Sequence, residues 1–521
     1  MKISILTQKI SRENMKNWFS FFVSLFVLIG FVSVSNAQDT VLNIGVKGKL
    51  DSVHSVIMGQ ERQIQVFLPA TYKPGSADKY DVMYVLDGGN WNTGLITRVQ
   101  NFVEGEGLMP STIIVSVMGI DRNNELTPTH LESWKASGGA DKFLGFIKNE
   151  LIPYINKNYP SNGDNTLWGH SLGGMFVFYT LLNEPTLFKS YIAVDPSMWW
   201  DNSYVAKMAV GKLPLLSAQN TTLYIAGREG ALADMKIDTL DIILKKVAPE
   251  NLKWKLHVYT GETHSSVRLK SIYDGLKFTY EGLTSNIQIH PMNGIVLKNK
   301  PFPILFFGDT TRVHYTLDGT VPTLSSPKSH FEIKASGPAT ATYKSFSNRS
   351  RYDQTTTGIF TTEKMQSPIS KPRNLLQGGF NYMYYEGTWD KVPDLKNLKP
   401  VKTGRTDKDF DLDKLPAKNN FALVIDGVFE SKEEGYYMFF FAADKDSKLY
   451  IDNKLVITWD GNYVRRDYSY ILPLSKGFYS FRIEYYHKNK DFKLNWNYIT
   501  PSMMESKNAT PIPIELQYGR K

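Results

Sequence analysis

Apolar positions along the chain fall into two textures that meet near residue 285. From about Val41 to Ser285, short apolar runs alternate with helical ones. The runs "QIQVFLP", "DVMYVLD", "TIIVSVM", "NTLWGH", "YIAVDP", "TLYIAG" and "KLHVYTG" read as strands. Several are unbroken stretches of Val, Ile, Leu and Tyr, the pattern of strands covered on both faces of a parallel sheet. Between them, "ADKFLGFIKNELIPYINKNY" places Phe143, Phe146, Ile147 and Leu151 on one helical face, and "IDTLDIILKKV" and "VRLKSIYDGLKFTYEGL" repeat that periodicity. The alternation predicts an α/β fold over residues 41–285, a mostly parallel sheet with helices on both faces.

Beyond Ser285, long amphipathic helices give way to short β runs punctuated by Gly, Pro and Asp, as in "VHYTLDGTVPTLSSP". Residues 286–365 are expected to form a small all-β sandwich. "QSPISKP", Gln366 to Pro372, opens an expected linker over 366–377. From Gly378 to Lys521 aromatic strands dominate; "SFRIEYY" alternates as a half-buried strand, and "DNK" marks a tight turn between two strands. A second sandwich is expected over 378–521.

The first 37 residues change the picture. Lys2, Lys9, Arg12 and Lys16 precede an apolar run from Trp18 to Val34, and small Ser35 and Ala37 then stand before Gln38. This predicts a signal peptide over 1–37, and so a secreted or periplasmic bacterial protein with no stable membrane anchor after cleavage. The 521 residues contain no Cys, which removes disulfides, thiol nucleophiles and thiolate metal sites. The net charge of +9 is spread among Asp and Glu rather than clustered, so no nucleic-acid partner is expected.

The candidate chemistry centres on Gly169-His170-Ser171-Leu172-Gly173. A strand-like "NTLWG" enters this turn and the apolar helical run "LGGMFVFYTLL" leaves it, the context in which a G-x-S-x-G turn lifts its serine above the strand ends. Ser171 is the expected nucleophile, and the N–H of Leu172 an oxyanion donor. The second donor is expected from "YVLDGGNWN", at Gly89 or Asn90; Asp87 in that loop reads as a turn residue, and Trp91 as part of the substrate wall. In the order serine, acid, histidine, the base is His264, in the polar loop "GETHSSV". His257 sits inside a strand-like run and His290 at the change of texture. The acid must lie at a strand end. "TLYIAGREGALADM" offers Glu229, favoured here, then Asp234, and "YIAVDPS" offers Asp195. Trp199 and Trp200 in "DPSMWWDN" are candidate aromatic walls or packing residues. Neither a metal nor an organic cofactor is called for.

With these residues in place, the stretch from Asp51 to Leu283 resembles the "putative-esterase" branch of the α/β-hydrolases, which includes feruloyl, acetyl-xylan and siderophore esterases. The matching pieces are "ERQIQVFLP", "MYVLDGGNW", "DRNNELTPTH", "GHSLGGMFVFYTLLNEP", "DPSMWWDN" and "GETHSS". The resemblance implies Ser171 and His264 as nucleophile and base. "AGREG" is similar to the siderophore-esterase acid loop, which implies Glu229. "VHYTLDGTVPTLSSP" resembles the chitobiase C-terminal-type β-domain. "NYMYYEGTWDKVPDL" and "GYYMFFFAADKDSKLYIDN" resemble the protective-antigen-type sandwich. Such sandwiches often bind sugars, some through calcium on adjacent aspartates. Here Lys445 stands beside Asp444, and an ammonium opposes a cation, so a glycan-facing or structural module without calcium is expected, with Trp459 or Tyr463 as sugar-stacking candidates.

Together these readings predict a secreted serine esterase acting on carbohydrate-linked acyl esters. A siderophore (enterobactin-type) esterase is the alternative substrate reading. A non-catalytic glycan-binding surface protein with a hydrolase scaffold is the alternative from another class.

Overall fold

The computed structural model describes residues 48–89, 91–216, 221–283, 288–308, 310–390, 393–406, 415, 420–443, 447–458, 468–488 and 494–521. The expected signal peptide, Asn90, Asp444, Lys445, Trp459 and Tyr463 lie outside the described residues. The chain divides into two compact units between Thr279 and Tyr280.

The first unit is built on an eight-stranded sheet of β1 (Lys49–Ser55), β2 (Gln60–Phe67), β3 (Tyr80–Val85), β4 (Thr112–Val117), β5 (Ser161–His170), β6 (Ser190–Val194), β7 (Thr221–Arg228) and β8 (Leu252–Tyr259). Their order is β1-β2-β4-β3-β5-β6-β7-β8. β2 runs antiparallel to both its neighbours, and every pairing from β4 through β3 to β8 is parallel. Burial follows from the sequence pattern. β3, β4 and β6 are buried at every position, whereas β2, next to the edge strand β1, buries alternate residues. The α/β fold expected from the alternating runs, built on a mostly parallel sheet, is what forms.

Helices α1 (Thr93–Gly105), α2 (Ala140–Phe146), α3 (Ile152–Asn158), α4 (Leu172–Asn183), α5 (Trp200–Lys212), α6 (Ile237–Val247) and α7 (Val267–Thr279) cover the sheet. α4 is buried from Leu172 to Leu182, as a helix apolar on all sides must be. Full burial of each Leu, Met or Phe there stabilises the fold by about 1.5–3 kcal/mol. The stretch read as one helix from Ala140 to Tyr159 is divided, with a π-type turn at Ile147–Leu151 between α2 and α3. Pro153 supplies no N–H to the helical ladder, so the chain relaxes its hydrogen-bond spacing just ahead of it.

The second unit is all β, as expected, and one of its sheets draws strands from both expected sandwich regions. One eight-stranded sheet runs through strands Val313–Thr316, Ala339–Ser345, Gln354–Thr362, Asn293–Val296, Tyr468–Leu474, Gly435–Ala442, Asn495–Ile499 and Thr510–Pro511, in that order. Asn293–Val296 is the seam, parallel to Gln354–Thr362 on one side and to Tyr468–Leu474 on the other. A Cβ on Gly294 would lie 2.2 Å from Ile471 Cγ2, so glycine is what lets the seam close. The Asn293 amide accepts from the Ile359 N–H at 2.8 Å and donates to the Tyr468 hydroxyl, stitching both neighbours. The expected linker is stitched as well: the N–H groups of Gln366 and Ile369 donate to Pro473 and Phe478 carbonyls at 2.9 and 2.8 Å. "DNK" forms the hairpin turn foreseen for it, with Asp452 and Asn453 at φ 46° and 61°.

Candidate active site at the carboxyl ends of β5, β6 and β7

Sheet register brings the functional side chains together. His170, Val194 and Ala226 are successive register partners across β5, β6 and β7. The next residues of β5 and β6, Ser171 and Asp195, therefore leave the sheet side by side. The Ser171 N–H donates to the Val194 carbonyl at 2.9 Å, and the Asp195 N–H to that of Ala226 at 2.8 Å.

Ser171 turns from β5 into α4 at φ 62°, ψ −119°. A serine in this region costs about 1–3 kcal/mol, held in place by the buried strand and helix on either side. Close packing of the turn needs Gly169, where a Cβ would stand 2.3 Å from the Gly173 carbonyl oxygen. Leu172 opens α4, so its N–H belongs to the first turn, which has no intrahelical acceptor. The other expected donor, Gly89, directs its N–H to Thr93 Oγ1 at 3.2 Å, and Gly88 donates to Val117 at 2.7 Å.

His264 stands in the loop between β8 and α7, where the sequence placed it. Its Nδ1 lies 2.6 Å from Asp195 Oδ2. Its backbone carbonyl accepts from His170 Nε2 at 2.7 Å, and the two imidazole rings are 4.3 Å apart. Burial, with the neighbouring His264 next in effect, pushes the His170 pKa down to about 3. His170 is therefore a neutral imidazole that donates from Nε2 and props the His264 loop. Among the described residues, His264 Nε2 has no protein hydrogen-bond partner. Ser171 Oγ rests 3.3 Å from Ser197 Oγ.

The geometry brings Asp195 to His264, and not the favoured Glu229 or the second choice Asp234. Glu229 and Asp234 are exposed, and neither carboxylate is hydrogen-bonded to His264. Glu229 has left β7 and begins a short 3-10 turn, Glu229–Ala231, facing solvent. Asp195, ranked last from the sequence, is fully buried against His264 and also accepts from Arg228 Nε at 2.6 Å. Burial pushes the Asp195 carboxyl up, but the hydrogen bonds from His264 and Arg228 outweigh it and hold the group below the usual carboxylate range.

The neighbouring loops complete the site. Asp87, at φ 54°, pairs with Arg122. Arg268, on α7, donates to Ser265 O at 2.8 Å and to Asn92 Oδ1 at 2.7 Å, tying the His264 loop to the loop after β3. Its guanidinium lies 5.9 Å from the ring centre of Trp91, which is 81% exposed. The two adjacent tryptophans separate in role. Trp200 is fully buried, its Nε1 donating to Thr129 Oγ1 at 3.0 Å, whereas Trp199 is 36% exposed and pairs with the partly open Trp134 at 6.4 Å. Sequence reasoning missed His170, Ser197, Arg228, Arg268 and Trp134. The first three sit inside quoted motifs, which was the one signal available.

Residues 55–268 match the family described as "Putative esterase", and residues 377–516 match the PA14 domain. The chain carries an α/β-hydrolase esterase domain followed by a PA14 domain, and its class is carboxylic ester hydrolase. It is similar to the ferri-bacillibactin esterase BesA of Bacillus subtilis (strain 168), 26% identical over 247 residues, which are 42% of this chain and 85% of that protein. It is also similar to the siderophore enterobactin esterase of Emericella nidulans, 29% identical over 195 residues, 32% of this chain and 63% of that one, so it spans under two thirds of the fungal protein. Among solved structures, the IroE-like serine hydrolase from Shewanella oneidensis is 27% identical over 44% of this chain and 79% of that chain, with a TM-score of 0.41.

Proposed function

We propose that Ser171, His264 and Asp195 are the triad of a serine esterase. The contact of Asp195 Oδ2 with His264 Nδ1 at 2.6 Å, one strand from Ser171, carries this reading. Ser171 Oγ attacks the ester carbonyl as His264 Nε2 takes its proton. Asp195 holds the Nδ1–H tautomer and stabilises the imidazolium that forms. The N–H of Leu172 donates to the oxyanion. The alcohol departs with the proton from His264, and water, activated by the same imidazole, releases the acid and frees Ser171.

The substrate reading is a siderophore-type ester, supported by the names of two relatives that match over the esterase domain. A carbohydrate-linked acyl ester is the second reading, favoured by the PA14 domain at residues 377–516. Glycan binding by that domain, and export with cleavage after Ala37, belong to the same proposal.

The test is intact mass after exposure to a serine-directed fluorophosphonate, with wild type beside Ser171→Ala. One adduct on wild type alone, with aryl-ester hydrolysis lost in the variant, is expected. Wild-type-like hydrolysis by Ser171→Ala would sink the reading. A panel of a catecholate trilactone, acetylated xylan and a feruloyl sugar then ranks the substrates by kcat/KM. Faster turnover of either sugar ester would transfer the assignment to the carbohydrate reading.

A further inference from the structure

Two donors meet at one oxygen of the candidate acid. Asp195 Oδ2 accepts from His264 Nδ1 and from Arg228 Nε, each at 2.6 Å. The other oxygen, Oδ1, is buried without a hydrogen-bond partner. Arg228 is the last residue of β7 and its side chain is 24% exposed. β6 therefore supplies the carboxylate, and the end of the next strand supplies a cation that reaches back to it.

We infer that Arg228 is a positioning residue of the esterase site: its guanidinium fixes the Asp195 carboxylate on His264 and keeps that carboxylate ionised. The inference rests on the Ser171, His264 and Asp195 reading. A buried carboxylate with one unpartnered oxygen has two ways to lower its energy if the cation is removed. It can rotate to share its oxygens, or it can bind a proton, and either weakens the hydrogen bond that orients His264. The guanidinium closes both routes. The arrangement has a cost, because a carboxylate shared with a permanent cation stabilises the transient imidazolium less.

The other charged or titratable groups around the pair are otherwise engaged. His170, from the serine turn, is neutral and bonded to the His264 carbonyl. Arg268, from α7, is bonded to Ser265 and Asn92. From the loop after β3, Asp87 pairs with Arg122. In the His264 loop, Glu262 pairs with Lys270, and beyond β7 Glu229 and Asp234 face solvent. Among the described residues, Arg228 is the cation bonded to Asp195.

The experiment uses the full chain as wild type, Arg228→Met, Arg228→Gln and Arg228→Lys. Two readouts are followed from acidic to mildly alkaline pH: kcat/KM on an aryl ester and the rate of fluorophosphonate labelling of Ser171. Thermal melts establish folding. In the Met and Gln variants the acid limb of both profiles is expected to move up by about one pH unit, with a several-fold lower plateau. Lys is expected to restore the limb, because it restores the charge, and to recover part of the plateau.

An acid limb at the wild-type position in folded Met and Gln variants overturns the inference. So does equal loss in all three variants without a shift. If Met fails to fold, Gln carries the test, and if neither neutral variant folds while Lys does, the residue serves folding and the inference is equally overturned. Absence of labelling in wild type defeats the triad itself, whereas a labelled wild type whose limb ignores Arg228 defeats this inference alone.

Discussion

Both units hold non-glycine residues at left-handed backbone angles, and the two sets differ in where they stand. In the second unit they are Asn420, Asp452, Asn453 and Lys507, and Asp452 and Asn453 make a hairpin turn. Asn and Asp bear such angles at little cost, so this curvature serves connection. In the first unit Asp87, Ser171 and Asp195 follow β3, β5 and β6, three strands adjacent in the sheet, and Asp201, Asn202 and Ser203 form a left-handed run inside α5 just beyond Trp200. Serine is not a residue chosen for that region. Its presence at Ser171 means that the buried strand and helix on either side over-determine the turn. In the second unit Asp452 and Asn453 join two strands; in the first, Ser171 and Asp195 leave adjacent strands at the candidate site.

The comparison can be broken by substitution. The largest effect is expected at Asp195: Asp195→Asn removes the charge and leaves the shape, and kcat should fall by about 10⁴-fold. Glu229→Gln, on the exposed turn beyond β7, should stay within about twofold. Initial rates on an aryl ester decide between them, and the reverse ranking would restore Glu229 as the acid. Next is His170→Ala, which removes the prop under the His264 carbonyl. A loss of about 10²-fold in kcat/KM is expected, the scale of a small misplacement of a catalytic group. An unchanged kcat/KM would show that the loop holds itself.

Packing comes third. Gly169→Ala should destabilise the first unit by about 3 kcal/mol, the upper end of overpacking costs, since its Cβ would meet backbone at 2.3 Å. Gly294→Ala should cost the seam of the second unit about as much but leave turnover unchanged below its melting transition. Thermal unfolding followed beside esterase rate separates the two. The smallest effects compare the left-handed residues themselves. Ser203→Gly should raise stability by about 0.5–1 kcal/mol. Asn453→Ala should lower it by about 1 kcal/mol. Equal shifts in Tm would show that the two regions do not differ in strain.

Legibility of the site followed the range of the physics involved. Ser171 and His264 announce themselves locally, one by a turn that only a strand, glycines and a helix can build, the other by a polar loop after the last strand of the α/β region. The acid did not. Asp195, Glu229 and Asp234 are all carboxylates that follow a strand, and chain order alone cannot say which of them reaches an imidazole. The register of β5, β6 and β7 decides it, together with the departure of Glu229 into a 3-10 turn. Arg228 reads as part of a loop in sequence and becomes a partner of Asp195 only when β7 lies beside β6. Trp199 and Trp200 are indistinguishable as letters, and burial separates them. In the second unit, the four residues Asn293–Val296 carry too short a pattern to reveal that they join strands far apart in the chain.

The sequence by itself determined the elements whose signals are local: continuous apolar strands, the buried helix after Ser171, the "DNK" hairpin and the serine turn. These are set by side-chain periodicity and by the backbone angles each residue tolerates, which act over a few residues. Tertiary structure decided which carboxylate meets His264, which cation holds it and where one β-sheet ends. Those outcomes depend on strand register and burial, where a shift of one residue or one strand exchanges partners while leaving every local preference satisfied.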